Sequence, residues 1–330
     1  MRASPWLALL VAGAAAAPAS AFEIAVQDDG VFVEKAFDRE RALRQARAVG
    51  ATYIRVDLPY AAVAARGLRP YDDLVAAARR HGLRLQMVLY GTPRFTHGSR
   101  RINYYRPHVG RFATFTAYVA RHFRGRVRRY SIWNEPNLAH FLSPPAQAPR
   151  IYRALYLAGY RSIKAADPAN QVLLGELGSQ KRVFSWVRSM GRGLRADGFA
   201  YHPYQFYRAP WQRDTRFFGI SNTPAIMRGV RDLARDGYVR TPRGLTPPVY
   251  FTEFSYPVGR PYPTAEAVRA RWIPFAFALA RRHGVRQLGY YKLQLRPFGS
   301  NWNSGLVRVD GTPTSSFLAL QRARASLVGR

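Results

Sequence analysis

Two glutamates stand where a folded chain has little structural use for a charge. Glu135 ends the run Tyr130-Ser131-Ile132-Trp133-Asn134-Glu135, and Glu253 ends Val249-Tyr250-Phe251-Thr252-Glu253. Both runs are otherwise dominated by aromatic and β-branched residues, the composition of a buried strand. An ionised carboxyl there costs several kcal/mol unless it is paired or hydrogen-bonded. For one glutamate a structural ion pair would suffice; two at one sheet edge ask for chemistry. Two carboxyls about 5–5.5 Å apart can open an acetal with retention, the protonated one donating to the leaving oxygen and the ionised one attacking the carbon.

Other residues cluster around the same strand ends. Tyr201-His202-Pro203-Tyr204 puts His202 and Tyr204 on one face by the two-residue period of a strand. From there the Tyr204 hydroxyl can donate to Glu253 and favour its anionic form. Thr52-Tyr53-Ile54-Arg55-Val56-Asp57 places Arg55 and Asp57 on one face, leaving two readings: Arg55 braces Glu253, or it pairs structurally with Asp57 or Glu176. For His202 the alternative is a buried ring satisfied by a backbone carbonyl. Glu176 looks like a third acid, and since the pair at 135 and 253 completes the chemistry it is assigned a supporting or subsite role.

These residues need a scaffold that gathers strand ends. From Phe22 onward, β-branched or aromatic runs alternate eight times with amphipathic stretches, which implies parallel strands joined by crossover helices. The strands are predicted at 22–29, 52–58, 83–90, 128–134, 171–176, 197–202, 248–253 and 287–293. The helices fall at 38–49, 70–81, 108–123, 150–166, 182–192, 222–236, 264–282 and 313–325. Asp38 reads as an N-cap and Pro70 as a first-turn residue, Gly50, Gly82 and Gly284 follow helix ends, and Asp167-Pro168 stops a helix. Eight units, with no Gly-rich strand-to-helix turn, favour an α/β fold of the closed (β/α)8 TIM-barrel type over an open doubly wound sheet. At 330 residues one large domain, 22–330, accommodates all of it.

The long connections follow strands 3, 4, 6 and 8, on the face where barrels build their sites. They hold Phe95, His97, Tyr104 and Tyr105; Phe206, Tyr207, Trp211, Phe217 and Phe218; and Phe298, Asn301, Trp302 and Asn303. Aromatic faces with amide neighbours suit sugar rings, whose axial C–H groups stack on π surfaces while hydroxyls take hydrogen bonds. Any one of these rings could equally pack its own loop.

Ile132-Trp133-Asn134-Glu135-Pro136-Asn137, followed by a lone glutamate on the seventh strand, resembles glycoside hydrolase clan A, nearest to family 39 and the broader family 5-like group. The likeness spans the whole chain from Phe22 through its order of strands. It implies that Glu135 is the acid/base and Glu253 the nucleophile, that Asn134 holds the sugar 2-hydroxyl, and that Arg55, His202 and Tyr204 surround the nucleophile and sugar, with Trp133 also at the substrate. One departure stands out: where many clan members end strand 8 with a tryptophan, this chain has Tyr290-Tyr291-Lys292, so Tyr291 or Trp302 is expected to supply the sugar platform. Lys292 there would suit an acidic sugar. The implied reaction is hydrolysis of a β-linked oligo- or polysaccharide by double displacement, without cofactor or metal. A transglycosidase would use the same residues.

Composition narrows the setting. Residues 1–21 read as an export signal, with Arg2, an apolar run over 6–17 and the small-x-small site Ala19-Ser20-Ala21; the run is shorter than a membrane span. A secreted, extracellular or periplasmic protein follows. There is no cysteine, so thiol catalysis is excluded, and the seven histidines show no metal-binding spacing. The net charge of +32, almost all arginine, would hold acidic polymers. It motivates a rival reading, a barrel that binds an anionic polysaccharide or cell surface without turnover. Even so, the arginines are spread along the chain, as solvated helix faces would be, and no basic run interleaved with aromatics points to nucleic acid.

Overall fold

The computed structural model describes residues 21–92, 104–297 and 302–328. Eight parallel strands close into a barrel: β1 (Glu23–Gln27), β2 (Ala51–Pro59), β3 (Arg84–Tyr90), β4 (Arg129–Ile132), β5 (Gln171–Gly178), β6 (Gly198–His202), β7 (Val249–Phe254) and β8 (Gln287–Tyr291). Each pairs with its sequence neighbours, and β8 returns to β1. The crossover helices are α1 (Arg39–Ala48), α2 (Arg69–Arg80), α3 (Val109–His122), α4 (Ala148–Ala166), α5 (Val183–Ser189), α6 (Thr223–Arg235), α7 (Glu266–Arg282) and α8 (Ser315–Val328). All sixteen predicted elements are present, displaced at their ends by a few residues. A short helix, Tyr60–Arg66, and a two-stranded pairing of Leu194–Arg195 with Val239–Arg240 are not expected from the sequence.

Local chemistry explains the boundaries. The Asp38 carboxylate accepts from the Arg41 amide and caps α1. Asp167, held extended ahead of Pro168, ends α4. In α2, Tyr71, Leu74, Val75 and Ala78 form one buried stripe while Arg79 and Arg80 end the helix in solvent. The apolar core lies mainly between such stripes and the outer face of the barrel.

The barrel's inside is polar along much of its length. At the floor Arg129 pairs with Glu23 (2.6 Å) and its guanidinium lies 3.9 Å from the Tyr53 ring centroid. Leu173, Ala200 and Tyr250 fill the middle. Above them β5 carries an irregularity between Leu174 and Leu177. Gly175 adopts φ +121° there, and a Cβ on it would sit 2.3 Å from the Ala200 carbonyl oxygen. This bulge is what sends the next side chain, Glu176, into the barrel. Gly175→Ala should therefore lower stability by about 3 kcal/mol and depress activity with it, as read by denaturant unfolding and turnover on the same sample; an Ala variant of unchanged stability would refute the requirement.

Candidate active site

Glu176, fully buried, is the hub of the mouth. Its Oε2 accepts from Arg55 Nη2 (2.9 Å), Thr252 Oγ1 (2.7 Å) and His202 Nε2 (2.8 Å), and Oε1 accepts from Gln86 Nε2 (3.2 Å). Five strands thus meet at one carboxylate. Burial pushes the Glu176 carboxyl upward, but Arg55 and His202 override it and hold the group down at about 2. The sequence assigns this residue a supporting or subsite role, and the structure shows four side chains that it holds.

Arg55 is equally buried and makes both contacts that the sequence presents as alternatives. Beside Glu176 it reaches Glu253 Oε1 (2.7 Å) and Asp57 Oδ1 (3.3 Å), and it contacts Gln27 Oε1. Burial works against its charge, yet Glu176 and Glu253 stabilise the cation further. Arg55 Nη2 also donates to Asn134 Oδ1 (3.1 Å). Because a guanidinium only donates, this bond fixes the amide's orientation and turns Asn134 Nδ2 to the other side.

His202 links the acids. Its Nδ1 lies 2.9 Å from Glu135 Oε1 and 3.6 Å from Glu253 Oε2, while Nε2 faces Glu176. Burial disfavours the charged ring, but Glu253, Glu135 and Glu176 overcome that and raise it to about 10, so it is an imidazolium at neutral pH. Since one atom neighbours both carboxylates, their facing oxygens cannot be farther apart than the two contact distances end to end. That limit falls at the lower edge, about 6.5 Å, of the spacing that inverting glycosidases need to seat a water between their acids.

Tyr204 donates to Glu253 Oε2 (2.9 Å); burial, then Glu253, push its phenol up and keep the proton on it. Backbone strain marks the same places. Trp133, Glu135 and Glu176 have φ of 68°, 40° and 51°, a region that bulky residues seldom occupy. The Glu135 amide donates to the Glu176 carbonyl (2.9 Å), and Asn137 clasps Gly178 through both its amide groups (2.9 and 2.8 Å). These bonds tie the connection after β4 to β5 and hold Glu135 at the rim.

Trp133 corrects an expectation. Its ring is fully buried, packs edge-on against Phe112 (5.5 Å) and Tyr104 (6.2 Å), and donates to the Phe141 carbonyl (2.8 Å). Trp133 follows β4 with φ 68°, which breaks the strand's alternation and turns its ring outward against Phe112 of α3, so it braces the loop and does not face the mouth. Trp302 does stand beside the site, perpendicular to Tyr204 at 5.3 Å and to Phe206 at 5.3 Å. Tyr262, which sequence reasoning does not single out, stacks on Phe206 at 4.1 Å; its only sequence signal is a position between Pro261 and Pro263. Tyr291 ends β8, where burial, then Glu253, raise its phenol well above the ordinary range. Lys292 beside it has its Nζ 5.3 Å from the Tyr291 ring centroid and is lowered by burial, with Asp28 opposing. Trp211 belongs elsewhere, against Phe275 and Trp272. Phe95, His97, Phe298 and Asn301 lie outside the described residues, as do the first twenty residues of the export signal.

Among the described residues no helix is long and apolar enough to cross a membrane, and no group of three or more His, Cys, Asp or Glu could hold a metal ion.

No protein-family profile matches the sequence, and no curated protein matches it. Solved structures do. A family 39 glycoside hydrolase from Bacteroides cellulosilyticus WH2 superposes with a TM-score of 0.74 at 19% identity, over 94% of this chain and 65% of that one. A monomeric β-xylosidase from Caulobacter crescentus CB15 gives 0.65 at 21%, over 93% and 68%. A family 5 enzyme of subfamily 18 from Streptomyces cattleya, solved with GlcNAc, gives 0.65 at 16%, over 92% and 80%. The chain thus spans just under two thirds of the first of these. These are clan A glycoside hydrolases, and what the chain shares with them at such identities is the closed (β/α)8 barrel.

Proposed function

We propose that the protein is a retaining glycoside hydrolase that cleaves β-linked oligo- or polysaccharide by double displacement, with Glu253 as nucleophile and Glu135 as acid/base. The observation that carries this reading is the convergence on His202 Nδ1 of two strand-end carboxylates in different company. Glu253 meets the Arg55 guanidinium (2.7 Å) and the Tyr204 hydroxyl (2.9 Å). Glu135, at the rim, receives only the His202 N–H among side chains of the described residues, which leaves its second oxygen to carry a proton toward the leaving group.

In the first step Glu253 attacks the anomeric carbon as Glu135 protonates the departing oxygen, giving a glycosyl ester on Glu253. Water, deprotonated by Glu135, then attacks the same carbon and releases Glu253. Asn134 Nδ2, turned away from Arg55, is the donor for the sugar 2-hydroxyl, whose hydrogen bond strengthens as positive charge develops on the ring. Trp302 and Tyr291 would offer the ring a stacking surface. The β-linkage is supported by fold relatives described as a β-xylosidase, a β-glycosidase and an exo-β-1,4-mannosidase. The signal-like segment at 1–21 supports export to the periplasm or medium.

The test is intact mass after incubation with 2-deoxy-2-fluoro glycosides of xylose, glucose and mannose bearing dinitrophenolate. The fluorine slows both steps and the leaving group rescues only the first, so the ester accumulates. One added fluorosugar, absent in Glu253→Gln, is expected with at least one of them. If no adduct forms and no glycoside in the panel is turned over, the barrel is a carbohydrate binder and the catalytic reading fails.

A further inference from the structure

A cavity of about 490 Å³ lies on the catalytic face of the barrel but outside the glutamate site, between the connection after β6 and the start of α6. Trp211, 55% exposed, stands at it with Phe217 and Phe218. Lys181, Arg213 and Arg228, all solvent-exposed, converge on it from three separate segments. None of these three forms an ion pair among the described residues. The one acid in the wall, Asp214, is buried, and its Oδ1 is taken up by the amides of Arg216 (2.8 Å) and Phe217 (3.3 Å).

The cavity is built, not a gap under a loose loop. Gln205 Nε2 donates to the carbonyls of Ala209 (2.6 Å) and Gln212 (3.1 Å), and its Oε1 accepts from the Ser221 amide (3.0 Å). Tyr201 donates to the Phe218 carbonyl (2.7 Å), and Asn222 Nδ2 to that of Asp214 (3.2 Å). The loop is therefore pinned across its length. Gln205 lies between Tyr204 and Phe206, so one side chain anchors both this cavity and the aromatic wall of the mouth.

We propose that this cavity is a second saccharide site, selective for a carboxylated pyranose of an acidic polysaccharide, with Trp211 as the stacking platform and Arg213, Arg228 and Lys181 as the carboxylate receivers. An aromatic plane beside unpaired cations fits a ring that is apolar on its faces and anionic at its edge. A volume of this size admits a pyranose unit with its flanking linkages. A chain held here is tethered on the face that carries the mouth, independently of which bond the glutamates cleave. The site also gives the unusual net charge of +32 one location where it selects a ligand, in contrast to diffuse attraction.

The experiment is calorimetric titration with tetragalacturonate and, as the neutral counterpart, cellotetraose, at 0.15 M and 0.5 M salt. Four proteins are compared: wild type, Trp211→Ala, Arg213→Ala/Arg228→Ala, and Arg121→Ala/Arg124→Ala. The last removes the same charge from exposed arginines at the opposite end of the barrel. Trp211→Ala and the cavity arginine pair should each weaken tetragalacturonate binding at least tenfold, the opposite-face pair less than twofold, and cellotetraose should bind at least tenfold more weakly than tetragalacturonate. Turnover of an aryl glycoside should not change with Trp211→Ala. If Trp211→Ala fails to fold, the comparison of the two arginine pairs decides. Equal losses in both arginine pairs would assign binding to overall charge and overturn the proposal; so would an unchanged affinity in folded Trp211→Ala, or equal affinity for the neutral sugar.

Discussion

Glu253→Gln should lower kcat on a dinitrophenyl glycoside by about 10⁴-fold or more, with KM moving less than about threefold. The amide is nearly the size of the carboxylate and can keep the Tyr204 bond, so the loss is one of nucleophilicity, equivalent to about 5.5 kcal/mol of barrier. Glu135→Ala should behave differently on the same substrate. Dinitrophenolate departs without a proton, so glycosyl-enzyme still forms, but its hydrolysis lacks a base and slows by about 10²–10³-fold. Azide, which attacks without losing a proton, should then restore turnover and yield a glycosyl azide of unchanged anomeric configuration. On a poorly activated glycoside Glu135→Ala should be nearly silent with or without azide. Rescue of Glu253→Gln with retained configuration, or failure to rescue Glu135→Ala on the activated substrate, would reverse or refute the assignment of the two glutamates.

The contrast rests on partners that the chain's own order brings in. Strand ends are legible because β-branched and aromatic runs stop at polar residues, and because Gly, Pro and Asp mark the helix boundaries. Asn134, Glu135, His202, Tyr204 and Glu253 arrive at the mouth because each lies at or close to the end of its strand, whereas Arg55, midway along β2, reaches Glu253 through the length of its side chain. Trp133 misleads for a related reason: it sits in the same motif, but its positive φ just past the end of β4 turns it out of the strand's alternation, and a motif read as a string does not record backbone conformation. The inward turn of Glu176 is not legible, because it depends on the bulge at Gly175, and a single glycine within a strand does not say which way the next side chain turns. Tyr262 and Trp302 depend on loop conformation, which carries no periodicity. The same limit hides the cavity beside Trp211, whose walls come from connections after two strands and from a helix.

Glu176→Gln should weaken catalysis without touching the sugar, and its signature is in the pH dependence. The carboxylate holds Arg55 and His202 in place, so its loss should cut kcat/KM by about 10²-fold through misplacement of the donors to Glu253 and Glu135, and stability by about 3 kcal/mol, because buried charge is left with fewer partners. In the wild type the folded Glu176 carboxyl lies at about 2, below its ordinary 4.5. Its contribution to stability is therefore complete above 4.5 and disappears as pH falls toward 2. His202 has the opposite sign: at about 10, above its ordinary 6.5, it stabilises fully below 6.5 and loses that contribution as pH rises through 10. The stability gap between wild type and Glu176→Gln should hence be constant near pH 5–6.5 and close progressively below pH 4.5, as measured by urea unfolding. Above neutrality the variant should lose activity earlier, since His202 gives up its proton sooner with one acid fewer beside it, and the alkaline limb of kcat/KM should move down by about one unit or more. Glu176→Asp, which keeps the charge, should restore that limb even if turnover stays low. An alkaline limb that stays in place in Glu176→Gln, together with a stability gap that ignores pH, would reduce Glu176 to packing. The imidazolium's hold on Glu135 would then rest on the other two carboxylates alone.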